Sequence, residues 1–188
     1  PDHRTRQVLA RRVGKFGRVR IDSRAVADKS DVGVDFFSSA ESDGIHGLSD
    51  FHSSHFLSEK VEVTTLATSL VEAGTNLVDY LKIDTEGNDL RVLQGLDWGR
   101  HLPDIVMCEF EDVKSSTYGY SSKELYSYLS ERYSTVLISE WHRVVKYGTL
   151  HRWRRVTDCL DEVDFEQGWG NFIAFSDPTL KSTLITEI

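Results

Sequence analysis

Along the chain, short runs that alternate apolar and polar residues are separated by segments where leucines and tyrosines return every three or four positions. These two periods divide it into strands and helices. The sharpest boundary lies within Tyr80–Trp98, YLKIDTEGNDLRVLQGLDW. Leu77, Val78, Leu81 and Ile83 predict a buried strand over 77–84, and Leu90, Leu93 and Leu96 predict a helix over 88–97. Gly87, at the junction, suits a tight turn or a close backbone approach. Upstream, residues 2–13 read as a basic helix with Val8, Leu9 and Val13 on one side. Val19–Asp28 reads as a strand (19–23) leaving the core for a polar loop, and VGVDFFSSAESDG as a strand that dissolves into an exposed loop. KVEVTTL is a further alternating strand. LATSLVEAG is a short helix ended by Gly74, with Leu66 and Leu70 on its inner face. Downstream, IVMCEF (105–110), TVLISEW (135–141) and NFIAFSD (171–177) complete the strands. Ser121 and Glu124 form a capping-box pattern for a helix over 122–132, in which Leu125, Tyr128, Leu129 and Tyr133 share a face. Strands alternating with helices predict an α/β fold with a mostly parallel sheet and helices on both faces. No repeat or low-complexity linker interrupts residues 1–188, so a single domain is expected.

The chain has 188 residues, 39% hydrophobic and 28% charged, as expected of a soluble domain with a real core. Its formal net charge of −8 argues against nucleic acid or an anionic membrane as the main partner. No apolar run has the length needed to cross a bilayer. Residues 1–20 are basic and lack the apolar stretch of a signal peptide. Cys108 and Cys159 stand far apart with no metal-ligand spacing, so a reduced, cytoplasmic setting is expected.

Candidate chemistry gathers at three places. Lys82, Asp84, Glu86 and Asp89 crowd the strand–helix junction. Acids in a first helical turn suit its positive end, which accounts for Asp89 and, less well, for Glu86. Asp84 lies at the carboxyl end of its strand, where open α/β sheets bind ligands. The strand at 105–110 reaches Glu109 near its own end, followed by Glu111 and Asp112, and equal offsets on parallel neighbours bring Asp84 and Glu109 side by side. Such carboxylates raise one another's pKa or share a cation; alternatively, Lys82 and backbone amides neutralise them. His46, His52 and His55 share one polar loop, as acceptor-facing or proton-accepting groups, as metal ligands, or as solvated loop residues. Trp141–Arg155 carries five Lys/Arg and no acid, interleaved with Trp141, Tyr147, Trp153, His142 and His151. That mixture suits a clamp on an anionic or sugar acceptor through His142, Arg152, Trp153 and Arg154. The alternative is internal pairing with the five acids of residues 158–166. Trp169 and Asn171 are assigned to the core and edge of the last strand.

VDYLKIDTEGNDLRVLQGL resembles the signature of the FkbM-type methyltransferases, in which a Lys-Ile-Asp-x-Glu-Gly strand end precedes a short leucine-rich helix. SRAVAD and VEVTTL stand where that family has matching segments, and CEFED, SEWH, HRWRR and WGNFIAF fit a subgroup of it. The resemblance covers most of the chain. It implies a Rossmann-like class I sheet that binds S-adenosylmethionine and O-methylates a small molecule, a glycan or a lipid-linked sugar. By the same resemblance Asp84, Thr85 and Glu86 lie beside the donor methyl, and Asp84, Glu86 and Glu109 carry the catalysis. Ser23 and Ala25 would pass the adenine, and Asp84 would also touch the cofactor. His52, His55 and the 141–155 segment would shape the acceptor side. The layout is also similar to cation-dependent O-methyltransferases, which hold a divalent ion with acids after these two strands; metal binding ranks below catalysis or substrate contact. The family's first two strands, with their glycine-rich turn and ribose-holding acid, have no counterpart. An N-terminally truncated sheet is therefore expected, lacking half its cofactor pocket and inactive alone. Two rival functions remain: a non-catalytic Rossmann-like module holding a sugar or protein partner, and a carboxylate–metal phosphohydrolase using Asp84, Glu86 and Glu109. The latter lacks a nucleophile motif and a phosphate loop.

Overall fold

The structure, a computed structural model, describes residues 1–146 and 149–181; Tyr147 of the basic segment lies outside the described residues. Two sheets form. The smaller contains β1 (Ala25–Val26), β2 (Asp31–Ser39) and β3 (His55–Thr64) in the order β1-β3-β2. Strand β1 runs parallel to β3, and β2 pairs antiparallel with β3. The larger contains β4 (Tyr80–Ile83), β5 (Ile105–Phe110), β6 (Thr135–His142), β7 (Trp153–Thr157) and β8 (Gly168–Phe175). Their order is β4-β5-β8-β6-β7.

The helices are α1 (His3–Val13), α2 (Leu66–Ala73), α3 (Asp89–Gln94), α4 (Asp112–Ser115) and α5 (Ser122–Ser130). All but the single-turn α4 are expected from the sequence. Thr65 accepts from the Thr68 N–H to start α2, and Gly74 ends it in the left-handed region. Ser121 and Glu124 close a reciprocal capping box on α5. Leu90, Leu93, Leu125 and Leu129 of α3 and α5 pack into one core with Val106, Cys108, Ile138 and Phe172 of the large sheet. Phe110 stacks on Phe172 with centroids 4.5 Å apart. Helix α1 buries no residue. Among the described residues, no helix is long and apolar enough to cross a membrane.

Two expectations are corrected. The large sheet is mixed: β4 and β5 pair in parallel, whereas β8 runs antiparallel to both β5 and β6, and β6 and β7 form an antiparallel pair. Helices α3 and α5 do link strands of like direction, as strand–helix alternation implied. Among the described residues no helix lies between β6 and β7, which pair antiparallel. Alternation along one strand carries no information about its direction, and β7 hides inside the basic segment. The second correction concerns residues 19–23, which form no strand. Asp22 accepts from the Arg24 N–H at 2.9 Å and pairs with its guanidinium, turning the chain before the two-residue β1. That strand joins the small sheet, not the sheet containing β4. The sheets meet where the Asn88 side-chain amide donates to the Val26 carbonyl at 2.8 Å and the Ala67 N–H to the Gly95 carbonyl at 3.0 Å.

Candidate active site

The site is built on the turn after β4. Glu86 (φ 55°) and Gly87 (φ 87°) are successive left-handed residues, a conformation that costs a side-chain-bearing residue about 1–3 kcal/mol. Gly87 is required twice over, since a Cβ there would lie 2.6 Å from the backbone carbonyl carbon of Lys114. The turn is thus pressed against α4. Tyr120 secures it from below, donating to the Gly87 carbonyl at 2.6 Å and accepting from the Leu90 N–H at 3.2 Å. Asp89 is fully buried and joins the two strand ends. Its carboxylate accepts from the Thr85 N–H (3.3 Å), the Thr85 hydroxyl (3.0 Å) and the Glu109 N–H (3.0 Å). More than helix capping, it is a crosslink. Burial pushes its carboxyl up to about 6, against the pull of the Thr85 bonds.

The parallel register pairs Ile83 with Cys108, so Asp84 and Glu109 follow at matching positions. Carboxylate oxygens of Asp84, Glu86 and Glu109 lie within 4.8 Å of one another. Lys82 reaches Asp84 at 3.0 Å, as the neutralisation reading anticipated. The glutamates are served by a different cation. Lys114, 3% exposed, holds its ammonium 2.7 Å from Glu86, 2.8 Å from Glu109 and 3.0 Å from Glu111. Lys114 escaped the sequence reading because α4 is a single turn without a readable period. The available signal was a lone lysine after three acids in EFEDVK. Burial pushes Glu86 up to about 7 and Glu109 to about 8 against the pull of Lys114. Burial alone would lower Lys114, but Glu109, Glu86 and Glu111 hold it well above the ordinary lysine value. Three carboxylates around one ammonium leave two negative charges in a dry site, so near neutrality the cluster retains a proton.

Two cavities meet at Asp84. One, of about 320 Å³, is walled by Asp84, Thr85 and Asn88 on one side and Ala25, Val26 and His46 on the other. The ring nitrogens of His46 have no hydrogen-bond partner among the described residues. The second, of about 280 Å³, is lined by Asp84, Glu86, Glu109, Lys114, His151 and Trp169. Trp169 stacks on Trp141 with centroids 5.6 Å apart, and His151 meets its ring edge-on at 5.3 Å.

The expected site residues divide accordingly. Ala25 and Asp84 line the first cavity, while Ser23 is exposed and outside its wall. Glu86 and Glu109 line the second. The His55 side chain is fully buried, with Nε2 2.8 Å from the Ile45 carbonyl and its ring against Phe51. It anchors the 43–45 turn, whose Gly44 and Ile45 face the second cavity. His52 bonds Ser54 through Nδ1 at 2.8 Å and lines a different hollow beside Glu111. His142, Arg152 and Arg154 line another. The Trp153 indole donates to the Ser139 hydroxyl at 3.3 Å. Arg154 and Arg155 each reach the buried Glu140 at 2.8 Å, an acid outside the expected 158–166 stretch, and from that stretch Asp164 and Glu162 stand 3.7 and 3.6 Å away. His151 is the member of the basic segment that reaches this second cavity, whereas Trp169, assigned to the core of the last strand, was missed as a cavity residue. It lies far along the chain from the acidic turn, and nothing local signals that β8 returns beside β5.

A family model, that of the Methyltransferase FkbM domain, matches residues 16–135, well over half of the chain. The chain belongs to the FkbM methyltransferase family. No curated protein and no solved structure matches it. The matched span includes the Asp84–Glu86 turn, Glu109 and Lys114. The segment beyond it adds His151, Trp169 and the Glu140-centred ion pairs.

Proposed function

We propose that the chain is an S-adenosylmethionine-dependent methyltransferase that O-methylates a hydroxyl-bearing acceptor: a small molecule, a glycan or a lipid-linked sugar. The observation that carries this reading is Asp84 standing as the common wall of two cavities. A transfer reaction needs its donor and acceptor held on either side of one point. The first cavity suits the donor. Ala25 and Val26 would offer apolar surface to the adenosyl group, His46 has ring nitrogens without a hydrogen-bond partner among the described residues, and Asp84 would set a negative charge against the sulfonium. When bound, the donor supplies an electrophilic methyl group.

The second cavity suits the acceptor. Its carboxylates accept hydrogen bonds from hydroxyls, and Trp169 offers a face for a ring. An acceptor hydroxyl held here would give its proton to Glu109 or Glu86 on taking the methyl group that the bound donor would supply. Bases with pKa raised to the neutral range are matched to that task. Acids dominate this cavity, and Glu140 occupies Arg154 and Arg155. A neutral acceptor rich in hydroxyls therefore fits better than an anionic one. Calorimetric titration with S-adenosylhomocysteine tests the donor half, with Asp84→Ala as the control that weakens it. Absence of binding both to this chain and to the full-length gene product would favour the non-catalytic module.

A further inference from the structure

The acceptor cavity has a cation that the chain itself supplies. Resting on the methyltransferase reading, we propose that Lys114 is the fixed counter-ion of the acceptor site: its ammonium stands where a divalent ion would bridge Glu86 and Glu109, orients both carboxylates toward the acceptor proton, and frees the reaction from any need for metal. Lys114 is a positioning residue in this scheme, acting through the glutamates it holds.

Three independent observations converge on it. The first is the geometry, with one buried ammonium within 3.0 Å of three carboxylates. The second is location. Lys114, Glu86 and Glu109 all line the cavity that also reaches Asp84 and Trp169, so the cluster faces a space large enough for a ligand. The third is how the backbone delivers it. Gly87 lacks a Cβ where the Lys114 backbone makes its closest approach, and Glu86 accepts a left-handed conformation next to it. A salt bridge kept for stability alone has little reason to take this form, because desolvating such ions offsets most of their attraction. An excess of acid over base weakens it further. In a site that must hold one proton poised between two carboxylates, the same excess is useful. The carboxylates of Asp84, Glu86 and Glu109 lie close enough to share an ion, and the lysine already supplies the positive charge.

The test uses Lys114→Ala, which vacates the position, Lys114→Met, which keeps its bulk, and Lys114→Arg, which keeps its charge. Mn²⁺ binding is followed by electron paramagnetic resonance, and methyl transfer is followed with and without EDTA and Mn²⁺. We expect wild type to bind no Mn²⁺ at this site and to ignore EDTA. Lys114→Ala should bind Mn²⁺, lose about 100-fold or more in turnover and recover part of it with the metal. Lys114→Met should lose activity without metal rescue, and its kcat/KM–pH profile should move to higher pH. Lys114→Arg should retain most activity. Wild-type dependence on a divalent ion would overturn the proposal. So would unchanged turnover and pH profile in both Lys114→Ala and Lys114→Met, or failure of a folded Lys114→Ala to bind Mn²⁺. If Lys114→Ala does not fold, Lys114→Met and Lys114→Arg decide through the pH profile. The Mn²⁺ measurement needs no acceptor, so failure of the methyltransferase reading itself, seen as no cofactor binding, remains distinguishable.

Discussion

Glu140→Ala separates the fold's use of the basic segment from any use by the acceptor. The Glu140 carboxylate is fully buried and accepts from Arg154 Nη1 and Arg155 Nε at 2.8 Å and from the Asp164 N–H at 3.0 Å. The arginine side chains are 34% and 33% exposed, so each lost ion pair is screened to about 1 kcal/mol. Both can turn toward Asp164 and Glu162, already 3.7 and 3.6 Å away. The orphaned Asp164 N–H costs about 1 kcal/mol, and the vacated methylene space about as much again. The total is about 3–4 kcal/mol, which lowers Tm by roughly 6–16 °C in a chain of this length. Glu140→Gln, which keeps one acceptor oxygen and the packing, should cost about half. Differential scanning calorimetry measures both variants, and adding Arg154→Ala to Glu140→Ala should cost little more, since its partner is already gone. Two results would refute the reasoning: a Tm for Glu140→Ala within about 2 °C of wild type, or an Arg154→Ala variant of unchanged Tm whose acceptor KM rises about tenfold.

Glu86 and Glu109, raised from 4.5 to about 7 and about 8, make the fold bind more protons than the unfolded chain between those values. Urea midpoints should therefore fall as pH rises from about 5 to about 8 and level off above, while kcat/KM climbs over the same window; a flat or rising stability curve contradicts the shifts. Gly87→Ala places a Cβ 2.6 Å from the Lys114 backbone at φ 87°, a clash no side-chain rotation relieves. It should cost about 3 kcal/mol or more in a thermal melt, and a near-native melt would deny the contact. His55→Phe keeps the ring and loses the bond to the Ile45 carbonyl. It should destabilise by about 1–3 kcal/mol and leave the kcat/KM–pH profile in place; a shifted profile would make His55 a proton acceptor after all.

Much of the fold could be read from period and caps. The β4–α3–β5 unit and its meeting of Asp84 with Glu109 followed from equal offsets on parallel strands, and the α5 capping box from Ser121 and Glu124. Strand direction could not be read, because HPHP patterning is the same in either sense. The partner of Glu86 and Glu109 was hidden for another reason: Lys114 is buried by tertiary contacts, not by its place on an apolar stripe. Arg154 looked like a ligand contact because its acid, Glu140, sits at an inward position of β6, where an apolar residue is the ordinary expectation. In each case the missing information was which distant segment comes to lie alongside.

Strand β8 is synthesised after the seven other described strands and placed in the middle of the large sheet. Until residues 168–175 have been made, β5 and β6 have no common neighbour, and each presents an open edge of the kind that recruits other chains. The pairing of Asn171 with both Glu109 and Ser139 spans long stretches of sequence, so closing the large sheet waits on slow, non-local contacts. The acidic turn can form early around Asp89 and Tyr120, but the facing cavity wall arrives with Trp169. During synthesis, the nascent chain therefore carries a half-built site and two exposed strand edges until β8 inserts between them.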